Sequence, residues 1–167
     1  MTSAPHQSSH DPSDRQLMCT AQPLIDRVAA EWGDTMLLLG RTLIGGIFVQ
    51  SGLNKLMGLD AFAAGLGRQG IPAAVASVLA PIGATVEFVG GLAIVFGLMT
   101  RYAAVLMIIF VIVATLISHR FWVLQGAERR TQTVQFPKNV AIIGGFVFVF
   151  ITGGGRYSLD RWWRRSA

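Results

Sequence analysis

Residues 105–117 read VLMIIFVIVATLI, an apolar run with no charged side chain along it. A helix on the surface of a soluble protein keeps one polar face toward water. This run has no such face, so apolar surroundings are expected on every side. Its helix extends from about Tyr102 to Ser118, and three other stretches share its character: about Met36–Met57, about Ala74–Met99 and about Asn139–Thr152. A helix needs about 20 residues to cross the hydrocarbon of a bilayer. The last stretch reaches that length only by starting near Phe136 and continuing to about Gly155. The pattern predicts an all-α, integral membrane four-helix bundle, rather than four buried helices of a soluble one.

Composition points the same way. Of 167 residues, 52% are hydrophobic and 14% charged, and the mean hydropathy is +0.52. Soluble domains carry about 25% charged residues. The net charge of +5 arises from 14 Lys and Arg against 9 Asp and Glu. In so apolar a chain a basic excess suits anionic lipid headgroups, and the lipid bilayer is the expected partner, not nucleic acid. Cys19 is the single cysteine, so neither an internal disulfide nor a thiol relay is expected.

Three regions are expected. Residues 1–35 form a polar tail, disordered to about Ala21, with a short surface helix over Pro23–Trp32. No continuous apolar core precedes Met36, so no signal peptide is expected. Residues 36–155 form the transmembrane domain. Residues 156–167 form a basic aromatic tail, and its segment RYSLDRWWRR reads as an interfacial anchor. After helix 1, Leu59, Phe62, Ala63 and Leu66 fall at helical spacing. They predict a short interfacial helix capped by Asp60 and ended by Gly70 and Pro72. Pro81 is expected to kink the start of helix 2. Helices 3 and 4 are joined by a long aromatic link from His119 to Pro137.

Helix 2 reads VEFVGGLAIVF from Val86, and helix 4 reads VAIIGGFVFVF from Val140. The two align without a gap, and Arg41 and Arg101 open helices 1 and 3. Either a duplicated helical hairpin or chance among apolar residues accounts for this. The glycines Gly45, Gly46, Gly90, Gly91, Gly144 and Gly145 are expected to allow close helix packing. For orientation, Arg15, Arg27, Arg41, Arg101, Arg156, Arg161, Arg164 and Arg165 share one side. Lys55, Arg68, Arg120, Arg129, Arg130 and Lys138 share the other. Eight against six favours cytoplasmic termini.

Glu87 is the residue with most to say about chemistry. It falls near the middle of helix 2, where a charge costs at least about 3 kcal/mol unless paired or protonated. Arg41 is expected roughly 8 Å away in depth, within reach of an Arg41–Glu87 pair. Such a pair either fixes helix packing or leaves Glu87 to carry a proton or bind a ligand. The equivalent position in helix 4 is Ala141. A second group gathers by topology at one membrane face: Asn54, Lys55, His119, Lys138 and Asn139, with Phe121, Trp122 and Gln125 nearby in sequence. Cationic and amide donors beside aromatic rings suit an anionic or carbonyl-bearing headgroup such as a quinone, or they simply snorkel to the interface. His119 has no companion at ligand spacing, so no metal site is expected. No phosphate loop, dinucleotide fingerprint or nucleophile elbow is present.

The segments GRTLIGGIFVQSGLNKL (40–56), EFVGGLAIVFGLMTR (87–101), HRFW (119–122) and FPKN (136–139) together resemble the DoxX family of bacterial integral membrane proteins. The family pattern maps onto Arg41, Gly52, Lys55, Glu87, Gly90, Gly91, Gly97 and Arg101. The last two segments resemble the subgroup with a long aromatic link between helices 3 and 4. The resemblance implies four spans in the bacterial inner membrane and a redox association: relatives include the membrane subunit of a thiosulfate:quinone oxidoreductase and proteins of oxidative-stress defence. It supplies no accepted mechanism. The expected role is a quinone-binding or partner-docking component, possessing no covalent cofactor, with a redox partner protein and a homodimer as expected assemblies. The alternatives are a small transporter for an aromatic or quinone-like solute and a purely structural assembly subunit. Whether the chain is itself an enzyme, or a non-catalytic subunit of an oxidoreductase, stays open.

Overall fold

The computed structural model describes residues 24–118 and 126–166. Among them every regular element is helical: α1 (Leu24–Met57), α2 (Leu59–Arg68), α3 (Ala73–Phe96), α4 (Thr100–Ser118), α5 (Gly126–Thr152) and α6 (Leu159–Ser166). The expected tail to about Ala21, with Cys19, lies outside the described residues. The chain divides into a unit ending at Gly33 and a unit from Asp34 onward. In the first, Leu24, Ile25, Val28 and Trp32 are exposed. They belong to α1, so no separate helix over 23–32 forms.

Among the described residues four helices are long and apolar enough to cross a membrane: α1, α3, α4 and the Gln132–Thr152 part of α5. No more than 33% of the apolar window of any span is buried within the chain. The outer faces expose Leu43, Ile47, Ile109, Leu116, Phe148 and Ile151. In water so broad an apolar surface would drive association, whereas in a bilayer it meets lipid. The inner faces of α1, α3, α4 and α5 supply a core of Phe48, Ile94, Met107, Val111, Phe146 and Val149. The Phe48 and Phe146 rings lie 5.4 Å apart at 48°.

Two helices begin otherwise than the sequence suggests. A proline disfavours helix in the residue before it, which argues for starting the fourth helix at Phe136 or later. Instead α5 starts at Gly126 and runs through Pro137. The proline lacks a backbone donor, and its ring is exposed. The gain is a span of 21 residues, and much of the expected link is helix. For α2, Gly58 and not Asp60 holds the N-cap position, without a side-chain cap bond. Asp60 lies in the first turn, where a carboxylate favours the positive end of the helix dipole. α2 packs Leu66 against Ala76 and Ala80 of α3 and ends at Arg68, with Gln69 as its C-cap and Gly70 just beyond at φ +88°. Pro81 lies inside α3 without ending it.

Close backbone contact sets the register of α1 against α3. A Cβ on Gly91 would lie 2.8 Å from Val49 N and 2.9 Å from Gly45 O, and one on Gly52 would lie 2.6 Å from Phe88 N. A Cβ on Gly145 would meet Ile44, and one on Gly90 the Met107 sulfur. Gly46 and Gly144 correct the packing expectation: a Cβ at either meets nothing within 4 Å. The register has a larger consequence. Beyond the Gly52–Phe88 contact α1 continues only to Met57, roughly 8 Å, while α3 reaches back to Ala73, roughly 22 Å at 1.5 Å per residue. α1 therefore stops short, and α2 covers the rest of α3.

The opposite end is closed by α6. α3 ends at Gly97 in the left-handed conformation (φ +66°), and a side chain there would strike the Arg41 guanidinium and Ser158. Arg41, 1% exposed, donates from Nη2 to the Tyr157 carbonyl at 2.6 Å. Asp160 accepts from Met99 N (2.6 Å), Thr100 N (2.8 Å) and the Thr100 hydroxyl (2.7 Å), so α6 supplies the N-terminal cap of α4 from outside that helix. Burial alone pushes the Asp160 carboxyl up. The Thr100 hydroxyl, the Thr100 and Met99 amides and the Arg164 charge outweigh it, and hold the group below the usual carboxylate range.

Two outcomes follow. Gly91→Val forces a shift of α1 from α3 and costs about 1–3 kcal/mol, read as a lower melting temperature in detergent, whereas Gly46→Ala, in open space inside a helix, melts no lower than the parent. Asp160→Ala costs about 1 kcal/mol at neutral pH through the lost cap. Because the folded carboxyl is the stronger acid, its contribution is complete above the unfolded value, about pH 4, and fades as pH falls through the folded one. Melting curves of parent and variant should draw together as pH falls below about 4; a constant gap would contradict the cap.

Candidate functional site

Because α1 ends at Met57, part-way along α3, Lys55 in its last turn lies beside the middle of α3. Its Nζ lies 2.5 Å from Glu87 Oε2. Glu87 is 3% exposed, while the Lys55 side chain is about one-third exposed. The pairing differs from the Arg41–Glu87 pair expected from depth. The glycine contacts place Arg41 level with Gly97, ten residues from Glu87 and roughly 15 Å along α3. Arg41 instead serves the α6 joint, where its Nε and Nη1 are buried without an acceptor among the described residues.

Lys55 stands between two hollows. One, of about 310 Å³, is an apolar cleft between α2, α3 and α4, walled by Phe62, Leu66, Ile82, Val86, Phe110, Val113 and Ile117, with Lys55 and Ser118 as polar members. Ile82, Ile109 and Val113 in its wall are exposed, so it opens sideways toward lipid. The other, of about 590 Å³, is lined by Gln50, Ser51, Asn54, Gly58 and Ala61. Lys55 and Phe62 belong to both. The ammonium also lies 5.2 Å from the Phe62 ring centroid, a cation–π contact.

The arrangement has plain chemical capacity. A carboxylate in hydrocarbon must be neutralised, and Lys55 does this at direct contact. An ammonium has three donors, so it can hold Glu87 and still donate to a carbonyl or an anion. The adjoining cleft takes an apolar ring or tail, and its volume lies at the lower end of the range for small-molecule sites.

Of the residues singled out by sequence, Lys55 and Glu87 pair, and Asn54 lines the larger hollow with Lys55. Asn139 does not join them. Its Nδ2 donates to Thr115 Oγ1 at 2.8 Å, and that hydroxyl donates to the Val111 carbonyl at 2.6 Å, a polar link between α5 and α4. Lys138 is exposed. His119 and Trp122, with Phe121 and Gln125, lie outside the described residues. Gln50, Ser51 and Phe62 were missed as site residues. Gln50, Ser51, Asn54 and Lys55 recur at helical spacing on one face of α1, and that polar stripe in an apolar helix was the available signal. Among the described residues no three His, Cys, Asp or Glu side chains gather where they could hold a metal ion.

Comparison with known proteins agrees with this architecture. The DoxX family matches residues 36–120. The inner membrane protein YphA of Escherichia coli K12 is 33% identical over 126 residues, 75% of this chain and 89% of the relative. The inner membrane protein YqjF of the same organism is 31% identical over 128 residues, 77% and 92% of the two chains. The uncharacterized membrane protein Rv3486 of Mycobacterium tuberculosis is 30% identical over 156 residues, 85% and 90%. No solved structure matches. With four membrane-crossing helices and a family match across half its length, the chain belongs to the DoxX family and is a multi-pass membrane protein.

Proposed function

We propose that the chain binds a lipid-soluble quinone, or a similar carbonyl-bearing ring, as the membrane component of a redox or oxidative-stress system. The observation that carries this reading is Lys55, paired with the buried Glu87, in the wall of a cleft open to lipid. An amphipathic ligand dissolved in the bilayer enters sideways, sets its ring against Phe62 and Phe110, and accepts a hydrogen bond from Lys55. Electrons pass to or from a docked redox partner protein. The chain acts in the bacterial cytoplasmic membrane with both termini inside, alone or as a homodimer. Its placement in the subgroup with aromatic residues between α4 and α5 rests on the HRFW and FPKN motifs.

Transport of an aromatic solute is the second reading. It is favoured by the two hollows that meet at Lys55 and Phe62. Solute counterflow in proteoliposomes distinguishes the two: flux supports transport, and binding without flux supports the first.

The test is binding of a short-chain quinone analogue to protein in nanodiscs. Lys55→Met removes a charged donor worth roughly tenfold in affinity, and Glu87→Gln frees Lys55 from its partner and shifts affinity in a stably inserted protein. Lys55→Met leaves the buried Glu87 charge unpaired and can cost about 3–5 kcal/mol in stability, whereas Glu87→Gln leaves only the partly exposed Lys55. The double variant Lys55→Met/Glu87→Met leaves neither charge, so it should stay folded and lose binding. Parent-like affinity in the folded double variant would place the ligand elsewhere and make the pair a packing device.

A further inference from the structure

The α6 end of the bundle holds a separate cavity of about 820 Å³. Its wall contains five arginines: Arg101, Arg156, Arg161, Arg164 and Arg165. Two carboxylates share the wall, Asp34 and Asp160, so five positive charges less two negative leave an excess of three. Both acids are already engaged by backbone donors. Asp34 Oδ1 accepts from Arg156 N at 2.9 Å, and Asp160 caps α4. Among the described residues none of the five guanidinium groups ion-pairs with a carboxylate. Arg101 reaches the Ile151 carbonyl at a long 3.4 Å, and Arg164 Nε donates to the Asp160 carbonyl at 3.2 Å. Among the described residues most of the donor capacity of this wall meets no protein acceptor.

Position says what the acceptor is. The cavity lies where α4 begins and α5 ends, the depth at which a spanning helix meets headgroups. Tyr102 and Trp163 in its wall are exposed, Tyr102 at 76%, as aromatic belts are at that level. Just inside, Ile151 and Phe148 on α5 are exposed to the acyl region. A guanidinium fork matches phosphate oxygens in pairs, and a basic pocket between helix ends suits an anionic headgroup. Arg161 and Arg165 stand one helical turn apart on α6 and present charge along one face.

We propose that this cavity is a phosphate-binding site, occupied in the membrane by the phosphodiester headgroup of an anionic phospholipid and held chiefly by Arg161 and Arg165. Scattered arginines at a helix end would attract the anionic surface as a whole. An open hollow that gathers five exposed arginines at one helix end holds individual lipid headgroups and retains them after extraction.

Native mass spectrometry of full-length protein from nanodiscs of phosphatidylglycerol, cardiolipin or phosphatidylcholine tests this. The parent should retain phosphatidylglycerol or cardiolipin, and not phosphatidylcholine, after detergent release. Arg161→Gln/Arg165→Gln should reduce retention by roughly tenfold or more. Arg129→Gln/Arg130→Gln, which removes equal charge from exposed positions on α5, should leave retention unchanged. Thermal melting in phosphatidylcholine alone checks that the variants fold as the parent does. A parallel titration with inorganic phosphate separates the sources: displacement of bound lipid by millimolar phosphate supports the same site with a free anion as its ligand. Equal retention in the parent and the α6 variant, or equal loss in both double variants, would overturn the proposal.

Discussion

A carboxylate placed in hydrocarbon must have its counter-charge within contact distance, and this requirement organises the molecule. Glu87 lies in the middle of α3, almost fully buried, and Lys55 meets it at 2.5 Å. For Lys55 to reach that depth α1 must end early, and for α1 to end early another segment must cover the first half of α3. α2 does so, packing Leu66 on Ala76 and Ala80. The cleft between α2, α3 and α4 lies at this discontinuity, where the long α1 ends at Met57 and the ten-residue α2 takes over beyond Gly58. The ion pair and the cleft therefore meet at one break in the chain.

The two polar centres divide the work of the bundle. At one end Arg41, Asp160 and Thr100 tie the α3–α4 turn to α6, through backbone groups that a membrane would otherwise leave unsatisfied. Their partners are protein atoms, which suits a fixed joint. At the other, Lys55 pairs with Glu87, lies against the Phe62 ring and has two hollows beside it. A cation with spare donors next to an apolar cleft suits exchange with molecules dissolved in the bilayer. Between the centres, the Gly45–Gly91 and Gly52–Phe88 contacts hold α1 and α3 in a single register, so the distance between the joint and the ion pair is fixed by backbone and not by adjustable side chains.

Much of the architecture was legible in the sequence, since lipid imposes a simple rule on residues such as those of α4. The four spans, the short helix after the first and the importance of Glu87 follow from hydropathy, helical spacing and the cost of an intramembrane charge. The partner of Glu87 was not legible. Depth counted from helix ends assumes that all spans start and stop at the same level, and α1 does not. The choice between Arg41 and Lys55 depended on which glycines touch which backbone, and Gly45 and Gly46 look alike until the structure shows one against Gly91 and the other in open space. The role of Asp160 was hidden for another reason: it caps α4 from α6, across 60 residues of sequence, where local capping patterns cannot point. The start of α5 was misjudged because a proline inside an exposed helical turn is tolerated more readily than its propensity suggests.

The most direct measurement of the central claim is photolabelling with a light-activated quinone analogue in nanodiscs, with labelled peptides mapped by mass spectrometry. Labelling concentrated on α2 and the facing turns of α3 and α4, at Phe62, Val86 and Phe110, and suppressed by excess unlabelled quinone, is the predicted result. Labelling spread evenly over the lipid-facing residues, with Phe148 and Ile151 modified as heavily as the cleft and no suppression by competitor, would contradict it.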